Sequence, residues 1–353
     1  MPAKPTTATS APAAPPSRQP LGAGIRGRVL GVSALLVLAN AAAWMWALFA
    51  FHRHPLLLGT ALLAYSFGLR HALDADHIAA IDNVTRKLMQ QGRRPVSVGL
   101  FFSMGHSTIV FALSLLIAAT SMTIKSHFES FTAIGGMIGT SVSVLFLFAI
   151  ALANMLVLFS VYKMFRRVRR GEQLSDENLN AVLSGRGFFA RIFRGLFQMI
   201  KHGWQMYLVG FLFGLGFDTA TEIGLLGISA AGATQGLSMW AILIFPTLFA
   251  AGMALVDFTV NILMLSAYGW AYVKPVRKLY YNMMITLLSV LVALLVGGVE
   301  LLGLISGRLE LHGWLWDAVG ALNEHSGIVG LTIIGIFAAS WCASLLFFKM
   351  KKL

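Results

Sequence analysis

Along this chain, long apolar runs alternate with short polar stretches. Apolar windows occupy 29–51, 57–81, 98–121, 137–162, 205–230, 238–271, 281–305 and 328–348. Each reaches the ~20 residues that carry a helix across a bilayer. The pattern therefore predicts an all-α, polytopic membrane protein with eight transmembrane helices. The sixth window is too long for one straight helix, so a turn is expected at its start, near Phe245-Pro246. The first run follows basic residues, but it is long and lacks a convincing cleavage site, which reads as a retained span rather than a signal peptide.

Between these windows the chain divides into four parts. Residues 1–28, rich in Pro, Ala, Ser and Thr, read as a disordered tail. Residues 29–162 form a first half of four spans, 163–204 a basic linker, and 205–353 a second half of four spans. Within the linker, "GFFARIFRGLFQMI" (187–200) has the make-up of an amphipathic helix lying on a membrane surface.

Composition sharpens this picture. Charged residues are 12% of the chain, about half the roughly 25% of soluble domains, which excludes an ordinary soluble enzyme. The single cysteine, Cys342, rules out a disulfide framework or a thiolate cluster within one chain. The net charge of +13 would suit nucleic acid, but its placement favours topology. Of the 27 Lys and Arg residues, 23 fall on the tail side of an eight-span arrangement. The positive-inside rule then puts both termini in the cytoplasm. The basic linker is expected to meet anionic lipid rather than nucleic acid.

Against this background, ionisable groups inside spans stand out, because each costs roughly 2.5–3.5 kcal/mol to insert. "FGLRHALDADHIAAIDN" (67–83) holds most of them. On a continuous helix, His71, Asp74 and His77 share an arc of about 120° while Asp76 points elsewhere. Asp76 would join them only where the helix unwinds, or would act by orienting a histidine. Imidazole with carboxylate suits Ni, Co, Zn or Cu rather than Mg or Ca. The bland alternative is an interfacial patch with Arg70 paired to Asp74. Asp82 and Asn83 read as a helix terminus.

Three further places carry such groups. His106 lies in the third window beside Ser103 and Ser107; spacing alone does not separate a ligand from a structural histidine. In "LFGLGFDTATEIGLLGIS", Asp218 and Glu222 stand one turn apart with Thr219 and Thr221 between them, and no basic residue is near. Asp257 lies in the sixth window, with Asn261 one turn on. Phe-Gly-Leu precedes the acidic cluster in both the second and fifth windows (67–69 and 213–215), which hints at an inverted repeat.

Taken together, "RHALDADHI" (70–78), "FFSMGHSTIV", "LGFDTATEIGLLGIS" and "LFAAGMALVD" with "LMLSAYGWA" resemble the blocks of the nickel/cobalt transporter family, in the family's order. These are secondary metal permeases, and the chain is similar to their high-affinity nickel permeases. The resemblance implies eight spans with cytoplasmic termini in the bacterial inner membrane. It implies a metal motif of His71, Asp74, Asp76 and His77, with His106 contributing. By the same route Asp218, Thr219, Thr221 and Glu222 map onto the fifth-span motif, and Asp257 onto the sixth. One departure stands out: where the family commonly has Thr and a second Asp after Asp257, this chain has Phe258 and Val260.

The function so implied is uptake of Ni2+, with Co2+ as a second substrate, and no cofactor. Ligands must be deprotonated to bind, so with ordinary imidazoles near about 6.5, binding is expected to weaken below about pH 6. No Gly-x4-Gly-Lys-Ser/Thr loop is present, so transport is expected to be secondary. The rivals are an efflux permease for the same metals, an intramembrane metal-dependent enzyme and a heme-binding subunit. The linker's one histidine, His202, weighs against efflux, and the lack of His-Glu-x-x-His weighs against the enzyme.

Overall fold

A computed structural model describes residues 23–119, 125–169, 200–215, 220–271 and 275–350. Every regular element among them is helical. In chain order these are α1 (Ala23–Phe51), α2 (Pro55–His71), α3 (Ala75–Gln90), α4 (Val98–Ala119), α5 (Lys125–Arg169), α6 (Met206–Phe213), α7 (Ala220–Thr234), α8 (Met239–Ile242), α9 (Ile244–Ala271), α10 (Pro275–Leu309), α11 (Trp314–Glu324) and α12 (Ser326–Met350). Five helical segments are long and apolar enough to cross a membrane, or seven if each of two bent pairs counts as one span. The proposed amphipathic stretch, most of the linker and most of the tail lie outside the described residues. α1 begins at Ala23, so its first turns take in the last residues assigned to the tail.

The second window is not one helix. α2 and α3 are bent by 49° at a break spanning Ala72–Asp74. Asp74 takes an extended conformation at the N-cap of α3, with its carboxylate bonded to His71 and Ser326 rather than to the helix backbone. α3 then runs on to Gln90, with every residue except Asp76 buried. Asp82 and Asn83 therefore lie in mid-helix at 0% exposure rather than at a terminus, because the helix continues through polar residues that neighbouring helices satisfy. The sixth window breaks at Leu243, between α8 and α9, with Pro246 in the first turn of α9, where a proline's missing N–H is harmless. α11 and α12 form the second bent pair, at 74°.

Two helix pairs are clamped reciprocally, a glycine of each helix seated on the backbone of the other. Gly68 of α2 seats against the Phe249 carbonyl of α9, and Gly252 of α9 against the Tyr65 carbonyl. In the same way Gly210 of α6 meets the Phe102 carbonyl of α4, and Gly105 of α4 meets the Tyr207 carbonyl. A Cβ at any of these glycines would strike backbone, which is the close approach that small residues allow between membrane helices. The spacings match: Tyr-x-x-Gly on α2 and α6, Phe-x-x-Gly on α4 and α9. α2 and α6 also stop at equivalent places, His71 and Phe213. Each half thus lends one helix to a partner from the other half.

This packing pairs the two halves in a register other than that of the shared tripeptide. Tyr65 corresponds to Tyr207 and Gly68 to Gly210, one helical turn away from the Phe-Gly-Leu match. The backbone contacts, not the shared tripeptide, define which positions are equivalent.

Candidate metal centre

Three imidazoles meet where the broken span crosses α4. His71 ends α2, His77 lies in the first turn of α3, and His106 projects from α4. One nitrogen from each lies within 4.8 Å of the others. The ring centroids stand 4.6 Å (His71–His77), 4.8 Å (His71–His106) and 5.0 Å (His77–His106) apart. All three rings are almost completely buried. The phenylalanines of the two glycine clamps wall the group in: Phe249 packs on His71 at 5.5 Å and Phe102 edge-on to His77 at 4.8 Å.

Carboxylates pair with each ring. Asp74 Oδ2 lies 2.9 Å from His71 Nδ1, and its other oxygen accepts from Ser326 Oγ at 2.8 Å. Glu222 Oε1 of α7 lies 2.8 Å from His106 Nε2 and 3.7 Å from His71 Nε2. Asp257 Oδ1 of α9 lies 3.4 Å from His77 Nδ1. Thr221 Oγ1 approaches His71 Nδ1 at 3.3 Å. Buried atoms are nevertheless left over: among the described residues, His77 Nε2, His106 Nδ1 and Asp257 Oδ2 have no hydrogen-bond partner. Each such atom costs about 1–3 kcal/mol, a penalty that a bound cation at His77 and Asp257 would relieve.

The spacing also fits a metal. His71 Nε2 and His106 Nε2 are 3.0 Å apart. Nitrogen and oxygen donors together suit a borderline transition metal such as Ni, Co, Zn or Cu.

Not every expected residue joins this group. The break that Asp76 would need exists, at Ala72–Asp74. Asp76 is half-buried and lines a cavity of about 40 Å³ with Glu300, Asn323 and Ser326, beside the Asp74–Ser326 contact. Arg70 is exposed, and Asp74 bonds His71 and Ser326, which displaces the interfacial-patch reading. Asn261 does not reach the histidines; it donates to Thr85 Oγ1 at 2.9 Å and the Pro95 carbonyl at 3.3 Å. Asp218 and Thr219 lie outside the described residues. Phe258 and Val260, at the positions of the departure, are buried in the apolar core.

Sequence reasoning missed Phe102, Phe249 and Ser326. The two phenylalanines carried a signal in their shared Phe-x-x-Gly spacing; Ser326 had none, because only the fold brings the α11–α12 bend against Asp74.

Comparison with known proteins agrees with this chemistry. A family described as "High-affinity nickel-transport protein" matches residues 57–347. The chain is 55% identical to the high-affinity nickel transport protein of Cupriavidus necator, over 93% of each chain. It is 49% identical to the hydrogenase nickel incorporation protein HupN of Bradyrhizobium diazoefficiens, covering 89% of this chain and 82% of that one. It is 40% identical to the cobalt transport protein NhlF of Rhodococcus rhodochrous, over 84% of each. No solved structure matches the chain. With a profile spanning most of its length and relatives of this likeness, the chain belongs to the high-affinity nickel-transport protein family.

Proposed function

We propose that this chain is a secondary permease that takes up Ni2+, and also Co2+, across the bacterial inner membrane. The observation that carries the reading is the cluster of His71, His77 and His106, enclosed among membrane-length helices and paired with Asp74, Glu222 and Asp257. The nickel and cobalt transport named for its relatives supports the choice of metal. Ni2+ is cargo in this account, and no resident cofactor is invoked.

Eight spans with cytoplasmic termini fit the helices if α6 and α7 act as one more broken span beside the seven. The lopsided distribution of Lys and Arg supports that orientation. Exposed side chains such as Leu38, Phe49 and Leu56 suit contact with lipid tails. In this orientation α2 descends from the periplasm to the histidines, and α3 continues from them to the cytoplasm.

A hydrated ion approaches past Asp76 and Glu300, whose cavity adjoins the Asp74–Ser326 contact. It exchanges water for the imidazoles of His71, His77 and His106 and for the Glu222 and Asp257 carboxylates. Asp74 orients His71, a role of the kind that commonly tunes metal affinity by about 10–100-fold. Thr221 and Glu222 bring the second half of the chain to the same ion that α2 and α3 hold, so a shift of the helices around that ion changes the side from which it is reached. The donor set comes from both halves, which suits a carrier better than an enzyme, and a linker with a single histidine favours uptake over efflux.

Titration of the purified full chain with Ni2+ tests the site. Tight binding is expected, with His77→Ala weakening it by about tenfold or more. Equal affinity in the two proteins would remove the proposed centre.

A further inference from the structure

Below the histidines, α3 is built unlike any other helix here. Asp82, Asn83, Thr85, Arg86, Lys87 and Gln90 are all buried on it. Their partners come from neighbouring helices. Arg86 donates to Ser289 Oγ and Thr286 Oγ1 of α10, each at 3.1 Å, and to Asn83 Oδ1 at 3.2 Å. Asn154 of α5 donates to the same Asn83 oxygen at 2.6 Å. Tyr268 of α9 donates to Asp82, and Asn261 of α9 donates to Thr85 at 2.9 Å.

Two features of this network matter for an ion leaving the histidine cluster. The first is its charge. At ~1.5 Å per residue, Arg86 lies about 13 Å beyond His77 along α3. There, among the buried described residues, Arg86 and Lys87 stand with one acid, Asp82, whereas the layer above holds Asp74, Glu222 and Asp257. A divalent cation is drawn into the upper layer and repelled from the lower one.

The second feature is how the interface is made. The α2–α9 and α4–α6 pairs are locked backbone against glycine, so sliding them produces clashes. The α3 interface instead combines core residues such as Ile81, Val84 and Leu88 with side-chain hydrogen bonds, and those bonds exchange for bonds to water with little net change in free energy. The break at Ala72–Asp74 separates α3 from the clamped α2, with Gly330 of α12 seated on the Leu73 carbonyl inside it.

We propose that the buried network of Asp82, Asn83, Arg86 and Tyr268 is the inner gate of the transport path, shut in this structure, which opens when α3 parts from α5, α9 and α10. This rests on the uptake reading and on its orientation. In it, Arg86 and Asp82 govern release and leave the metal-binding atoms alone.

A reversible tether tests it. In a Cys342→Ser background, Thr85→Cys with Asn261→Cys joins α3 to α9 on oxidation. The expected result is loss of radioactive nickel uptake in the oxidised protein, recovery on reduction, and unchanged Ni2+ binding by the purified, oxidised protein. Full uptake through a tethered chain overturns the gate; so does loss of Ni2+ binding together with uptake, which marks the network as purely structural. Where the disulfide does not form, Thr85→Cys alone is labelled from the inner face of inverted vesicles with an impermeant maleimide. Faster labelling when Ni2+ is supplied on the opposite face, and with Tyr268→Phe in its absence, supports the gate, and rates unchanged by either overturn it. If the parent chain takes up no nickel at all, the uptake reading fails before the gate is tested.

Discussion

The 2.8 Å contact between His106 and Glu222 joins the two halves of the chain at single atoms. Glu222→Gln keeps the shape and removes the charge, so Ni2+ affinity is expected to fall by about tenfold or more, read by titration of the purified protein. Asp76→Asn should behave differently. Because Asp76 lines the neighbouring cavity rather than the cluster, equilibrium binding should hold while the concentration for half-maximal uptake rises; a matching loss of binding would place Asp76 among the ligands. That His71 and His77 lie together was legible from their spacing. That His106 joins them was legible only through the family resemblance, since one histidine on an apolar helix carries no spacing signal. The arc drawn for His71, Asp74 and His77 assumed a continuous helix. They do converge, but through the break, and nothing in the local residues marks Ala72–Asp74 as non-helical until Ser326 and Gly327 arrive against Asp74.

At the scale of elements, the glycine clamps carry the architecture. A side chain at Gly210 would meet the Phe102 backbone, so Gly210→Val is expected to destabilise the protein by at least about 1–3 kcal/mol, seen as a lower midpoint of thermal unfolding in detergent. Gly59→Ala, at a glycine with open space around it, should leave the midpoint in place. The helices themselves were legible because apolar length is a strong signal. The repeat was only half legible: Phe-Gly-Leu announces it, but the true register lies in Tyr-x-x-Gly and Phe-x-x-Gly pairs whose meaning appears only when α2 meets α9 and α6 meets α4. The inner half of α3 was misread for a related reason. Its polar residues look like a helix running out into water, yet Thr286, Ser289, Asn154 and Tyr268 bury and satisfy them.

For the whole molecule, proton competition makes a simple demand. Imidazole and carboxylate bind metal only when deprotonated, so the apparent affinity for Ni2+ should fall as the external pH is lowered, with little loss of protein from the membrane; affinity that rises on acidification would contradict ligation by these groups. The central claim is that this chain moves nickel inward through the histidine cluster. Radioactive Ni2+ accumulation by intact cells of a low-nickel bacterial host, with and without the chain and with Co2+, Zn2+ or Mn2+ as competitors, tests it most directly. Expression should raise accumulation, Co2+ should compete and Mn2+ should not, and His71→Ala should abolish the gain while the protein still reaches the membrane. Accumulation unchanged by expression, or undiminished by His71→Ala, would contradict it.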